Sequence, residues 1–196
     1  MYTIHTTSGL IIDSRPRGEA GKLISVFTKE MGLVMAVAQG IRLEKSKLRC
    51  FTQDHIFGLF SFVKGKELWR LTNAEELEDS RLGAQILCSR MSSLLKRLLH
   101  GEEAHPELFD SVLSAVKFLE KNREKENREL DMENMKSLES LAVVRILYHL
   151  GYIGNDDVLS ECFKSNDINI GLLNNVRGKR GVINQHINKA LRESHL

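Results

Sequence analysis

Apolar residues recur with a period of two, broken by glycines, over the first 75 residues of this chain, and from about Ser80 the interval becomes three to four. Period two places alternate side chains on opposite faces of a strand; three to four places them on one side of a helix. A single change of period predicts an α+β protein in which a β domain, residues 1–79, precedes an α-helical domain, residues 80–196. With 196 residues, 42% of them hydrophobic, the chain is apolar enough to bury a core and short enough for one or two small units.

Five short strands are predicted, at Gly9–Ile12, Leu23–Phe27, Leu33–Ala38, Ile56–Val63 and Leu68–Thr72. The breaks carry turn chemistry or high polarity: Arg15-Pro16-Arg17-Gly18, Glu30-Met31-Gly32, Gly40 to Gln53, and Lys64-Gly65-Lys66. Strands of this number and spacing suit a small closed barrel better than an open sheet with exposed edges. His55 to Val63 is apolar on both faces, so one face should line the barrel while the other packs against something else.

The helical part begins with Leu82, Ile86, Met91, Leu95 and Leu98 on one stripe. They predict a helix of about 20 residues, capped by Asp79 or Ser80 and stopped by Gly101. A second helix runs from near Pro106, a favourable first-turn residue, through Leu119. Glu120 to Asn134, with ten charged residues of fifteen, reads as a solvated extension or loop. A third helix spans Met135 to Leu150 and ends at Gly151. Shorter helical pieces are expected near Asp157–Lys164 and around Ile183, Ile187 and Leu191, with Arg177, Lys179 and Arg180 in a loop near the last.

Several chemistries find no residues to carry them. No apolar stretch approaches the roughly 20 residues a bilayer span needs. Met1 to Asp13 lacks the basic start and apolar block of a secretory signal, which makes the cytoplasm the expected location. Cys50, Cys88 and Cys162 are scattered and odd in number, so they form neither a disulfide framework nor a CxxC zinc pair and are read as reduced, buried thiols. The seven histidines show no HExxH or HxH spacing, Arg177-Gly178-Lys179-Arg180-Gly181 lacks the order of a phosphate-binding loop, and no GxSxG elbow occurs. The expectation is a protein without catalytic residues, metal or cofactor.

What remains is charge. The total of +2 conceals a net +5 over residues 1–73, −5 over 74–135 and +2 over 136–196, so a polyanion, if one binds, meets the β domain. Arg15, Arg17 and Lys22 flank the first turn, Arg42, Lys45, Lys47 and Arg49 occupy the longest loop, and Lys64, Lys66 and Arg70 surround the last turn. Cations so placed can follow a phosphate backbone by displacing its counterions. An ordinary solubilising loop would have the same composition. Phe27, Phe57, Phe60, Phe62 and Trp69 would supply either barrel core or platforms for unpaired bases.

Gly9-Leu10-Ile11-Ile12, Gly18-Glu19-Ala20, Phe27-Thr28 with Gly32, Ala36-Val37-Ala38-Gln39-Gly40-Ile41-Arg42, Lys45-Ser46-Lys47-Leu48-Arg49 and Leu71-Thr72-Asn73-Ala74-Glu75, taken in order, resemble the N-terminal domain of the bacterial RecO recombination mediators. The likeness extends to Leu138–Tyr152, which resembles that family's central helix and its Leu-Gly-Tyr ending. It departs at Gly21, where the family often has Asp, and after Tyr152, where many members carry four zinc-binding cysteines and this chain has Cys162 alone. The resemblance implies an oligonucleotide/oligosaccharide-binding (OB) barrel joined to a helical domain, in a short member without the zinc motif. It further implies binding of single- and double-stranded DNA, annealing of complementary strands, and action with RecR to place RecA on DNA coated by single-strand binding protein, in a nucleoid-associated setting. By position, the DNA-contacting surface falls on Arg42, Lys45, Lys47 and Arg49, with Arg15, Arg17 and Lys22 beside them. An OB-fold protein for single-stranded RNA, or a protein-interaction scaffold without DNA binding, are the alternatives.

Overall fold

A computed structural model of the chain describes residues 3–41, 46–81, 85–124 and 131–194. Two compact units divide it, Met1–Pro106 and Glu107–Leu196.

The first unit is built on five strands, β1 (Ile4–Arg17), β2 (Gly21–Thr28), β3 (Gly32–Ala38), β4 (Ile56–Lys64) and β5 (Trp69–Arg81), closed in the order β1-β2-β3-β5-β4. Every pairing is antiparallel except β3 with β5. The barrel expected from the glycine-punctuated alternation is therefore present. Two strands are longer than the apolar runs suggested. β1 takes in Arg15, Pro16 and Arg17, expected in a turn, because it pairs twice: Ile4 to Leu10 with β4, and Gly9 to Arg17 with β2. β5 continues past Thr72 because β4 pairs with it as far as Glu76 and again at Arg81, across an irregularity between Ile56 and Gly58, so helix α1 begins at Gln85 (Gln85–Leu98) and Asp79 and Ser80 lie in a strand instead of capping a helix.

Inside the barrel, alternate residues of the strands interdigitate, among them Ile11, Ile24, Val26, Val34, Phe60, Phe62 and Leu71. Leu48 and Phe51, from the segment between β3 and β4, pack on the same core beside the 3-10 turn Lys47–Arg49. α1 packs on β1, where Lys96 Nζ meets Asp13 Oδ2 at 2.9 Å, which carries the compact unit beyond the change of period at Ser80. Of the cysteines, Cys88 and Cys162 are buried as expected and Cys50 is exposed, since it follows the 3-10 turn on the outer surface.

On its side away from β2, β3 meets β5 only at Ala36 opposite Trp69 and Val37 opposite Arg70. Beyond that point the Leu33 N–H donates to the Gly101 carbonyl, 3.1 Å away, so the segment after α1 completes the seam. Gly32 sits at φ 67°, and a Cβ there would lie 2.1 Å from the Glu103 carbonyl oxygen. Gly32→Ala is expected to destabilise the barrel by about 2 to 4 kcal/mol, the left-handed backbone penalty plus displacement of a main-chain neighbour. Thermal denaturation checks it; a change below about 0.5 kcal/mol, the range of a neutral surface substitution, would contradict the close approach.

The second unit holds α2 (Pro106–Glu124), α3 (Met132–His149), the short α4 (Ser160–Phe163) and α5 (Ile170–Glu193). α3 starts on Asp131, whose side chain accepts from the Asn134 N–H, and ends as predicted at Gly151, φ 79°. α5 is one helix of 24 residues, so Arg177, Lys179 and Arg180, expected in a loop, are helical. Two glycines weaken that stretch, but Leu173, Val176, Ile183, Ile187 and Ala190 recur at helical spacing, all buried, and decide the conformation. Glu133 on α3 binds Lys136 and Arg180, contacts that hold its carboxyl well below the usual range, at about 2.

Arg145 is 2% exposed in the second unit. Its guanidinium donates to the carbonyls of Cys162 (2.7 Å), Ser165 (2.5 Å) and Asn166 (3.3 Å), gathering the turn between α4 and α5 against α3. Burial pulls its pKa below the ordinary arginine value, with Cys162 and Asp167 acting the other way. Tyr148 stacks on Phe163 beside it, ring centroids 3.9 Å apart.

Candidate nucleic-acid interface

Strand register lays the predicted cations along a basic rim that crosses the barrel from the first turn, at one end, to the last turn, at the other. Pro16 pairs with Lys22 and Arg17 with Gly21 across the first turn; Lys22 pairs with Ala38; Val37 pairs with Arg70; and Arg70 and Trp69 pair with Val63 and Lys64. Lys66 lies in the turn that joins the last two strands. The loop after β3 is fixed to the same rim because Lys22 Nζ donates to the Thr52 carbonyl at 3.1 Å, while the Thr52 hydroxyl donates to the Leu48 carbonyl at 3.0 Å. Arg49 therefore joins Arg15, Arg17, Lys64, Lys66 and Arg70 as an exposed rim residue, with Lys22 half-buried among them. Arg42 and Lys45 lie outside the described residues, as does the side chain of Lys47.

The cations differ in how far they are committed. Lys64 Nζ stands 3.6 Å from Glu102 and 5.3 Å from the centre of the Trp69 ring. Lys22 is held by its carbonyl. Arg15, Arg17, Arg49, Lys66 and Arg70 make no ion pair with a described residue, although Glu19 and Glu67 lie in the same turns. Free guanidinium and ammonium groups at a convex rim can exchange counterions for phosphates with no internal bond to break.

The aromatic residues take the other of their two readings. Phe27, Phe60 and Phe62 are fully buried and Phe57 nearly so. Trp69 is 5% exposed; its indole N–H donates to Glu102 at 2.7 Å and His5 meets it edge to face. Sequence gave no signal for the Glu102 contact, which joins residues 33 positions apart through a segment of irregular backbone. Among the described residues of the barrel no Phe, Tyr or Trp is exposed, so the rim offers charge without a stacking platform. Beside it, His55 adopts φ 66° and donates its N–H to the Ile11 carbonyl; burial lowers its imidazole pKa against the opposing pull of Asp54.

No helix among the described residues is long and apolar enough to cross a membrane. Residues 1–79 match the family described as recombination protein O N terminal. The chain is 27% identical over 161 residues to the DNA repair protein RecO of Clostridium acetobutylicum, covering 80% of this chain and 62% of that protein. It is 28% identical over 120 residues to that of Halalkalibacterium halodurans, with 59% and 47% covered, and 31% identical over 125 residues to that of Gloeothece citriformis, with 61% and 44% covered. The chain thus spans about half the length of the curated relatives it matches. Residues 1–79, folded as a closed five-stranded barrel of the OB type, are thus similar to the N-terminal domain of the RecO family, and helices follow them.

Proposed function

We propose that this chain is a DNA repair and recombination mediator, a binding protein and not an enzyme, with residues 1–79 as its nucleic-acid-binding domain and 80–196 as its helical domain. The rim cations Arg15, Arg17, Lys22, Arg49, Lys64, Lys66 and Arg70, extended by Arg42, Lys45 and Lys47, follow the phosphate backbone of single- and double-stranded DNA. Neutralising two strands at once lets complementary strands anneal. Action with RecR on DNA coated by single-strand binding protein, so that RecA is loaded, follows from the family, as does a cytoplasmic place at the nucleoid. The observation that supports the reading best is the set of five exposed rim cations without a carboxylate partner among the described residues, next to Phe27, Phe57, Phe60, Phe62 and Trp69, which are buried. Backbone contacts of that kind position a nucleic acid without reading its bases.

A labelled single-stranded oligonucleotide titrated at several salt concentrations, beside an equal-length duplex and an RNA of the same sequence, tests it. Binding to both DNA forms without preference for RNA is expected, falling with salt by a logarithmic slope of about 3 if four to five phosphates are engaged. Stronger binding to RNA would favour a single-stranded RNA protein, and no binding at low salt would favour a protein-interaction scaffold.

A further inference from the structure

The solvent face of α5 has an unusual composition. Asn174, Gly178, Gly181, Gln185, Asn188 and Arg192 follow one another at intervals of four and three, all exposed, opposite the buried stripe. Arg177 flanks this row on one side and Lys189 on the other. No carboxylate occurs in the helix before Glu193, whereas 26 in 196 residues would place about three in 24. Solvated helices ordinarily alternate acids with bases to gain ion pairs between successive turns. Here amides and cations stand where those acids would be.

The glycines sharpen the point. Neither Gly178 nor Gly181 has a left-handed backbone, and a Cβ added to either would meet nothing within 4 Å. Nothing in the fold calls for glycine at two neighbouring turns of a long helix, and glycine is the poorest helix former after proline. Bare backbone on an exposed row suits close approach by something outside the chain. Amide side chains can hydrogen-bond base edges, and cations can meet the phosphates on either side. A helix about 10 to 12 Å across fits a major groove about 12 Å wide, and 24 residues extend for about 36 Å.

We propose that the exposed row of α5 is a second DNA-binding surface, specific for the duplex form, in which Asn174, Gly178, Gly181, Gln185 and Asn188 face the major groove while Arg177, Lys189 and Arg192 contact its phosphates. The inference rests on the DNA-binding reading above and adds to it a surface that a single strand, having no groove, engages poorly.

Two variants of the full chain test it against a duplex and a single strand of equal length. R177Q/K189Q/R192Q is expected to weaken duplex binding about tenfold at low salt and to lower the duplex salt slope by about 2 to 3, leaving single-strand affinity within twofold. G178A/G181A is expected to raise the unfolding temperature and yet weaken duplex binding severalfold, a pairing that a purely structural role of the glycines would not give. Duplex affinity within twofold of the parent in both variants overturns the inference, as does an equal loss on both DNA forms. A changed sedimentation coefficient with unchanged duplex affinity also overturns it, in favour of contact with a second copy. If the parent protein binds neither form, the DNA-binding reading itself has failed; if it binds and only barrel variants weaken it, this inference fails alone.

Discussion

Replacing Arg15, Arg17, Arg49 and Arg70 together by Gln is expected to lower affinity for a single-stranded oligonucleotide about a hundredfold near 0.05 M salt and to flatten the salt dependence by a logarithmic slope of about 3. The two effects share one cause. Each arginine that leaves a phosphate also leaves one condensed cation in place, so the entropy of releasing it is lost at low salt, where it counts most. All four side chains are exposed and none has an ion-pair partner among the described residues. Their removal should therefore change stability by no more than about 0.5 kcal/mol each. Fluorescence anisotropy across a salt series, with thermal denaturation as control, reads both quantities. Unchanged affinity and slope would move the interface off this rim.

Arg145→Met is expected to cost the helical unit about 3 to 5 kcal/mol, enough to bring a unit of this size close to unfolding. Methionine fills much of the arginine volume, so the loss is one of hydrogen bonds: the carbonyls of Cys162, Ser165 and Asn166 would lose the charged donor that satisfies them. Lysine would not rescue it fully, because one ammonium cannot reproduce the planar fork that reaches the carbonyls of Cys162, Ser165 and Asn166 together. Urea unfolding followed by far-UV circular dichroism gives the number. With two compact units in the chain, the change belongs in the transition of the helical unit, and a loss below about 1 kcal/mol would mean that water replaces the guanidinium at little cost.

Much of this is legible in the sequence. The barrel could be read because β3 alternates in phase with its pleat and β2 is an apolar run between turn residues, and Gly151 because a helix that stops needs a residue at ease with positive φ. The ends of β1 and β5 were not legible. Polar residues such as Arg15, Arg17 and Asn73 are in strands because of the partners opposite them, Leu23, Gly21 and Ser61, and a polar residue at a strand end leaves no periodic trace. α5 shows the opposite failure: Gly178 and Gly181 read locally as a loop, and only the long run of buried residues around them shows a helix. At the rim, composition indicated the cations, but register alone sets Lys22 and Arg70 on either side of β3, opposite Ala38 and Val37. Trp69 can be read either way in the sequence because the partner of its indole N–H, Glu102, is 33 positions away and no periodicity connects the two.

The bond from Leu33 to Gly101 has a consequence for how this barrel lives among other proteins. A strand with one side unmet is a template on which a foreign chain can add itself, the route by which small β domains recruit each other into aggregates. β3 has such a side, because its partner β5 diverges after two residues. The stretch that follows α1 occupies it from within the same molecule. A polypeptide that stopped at residue 79 would leave that side vacant, whereas one continuing through Gly101 guards it. The helix and its trailing segment are thus the barrel's protection against its own kind.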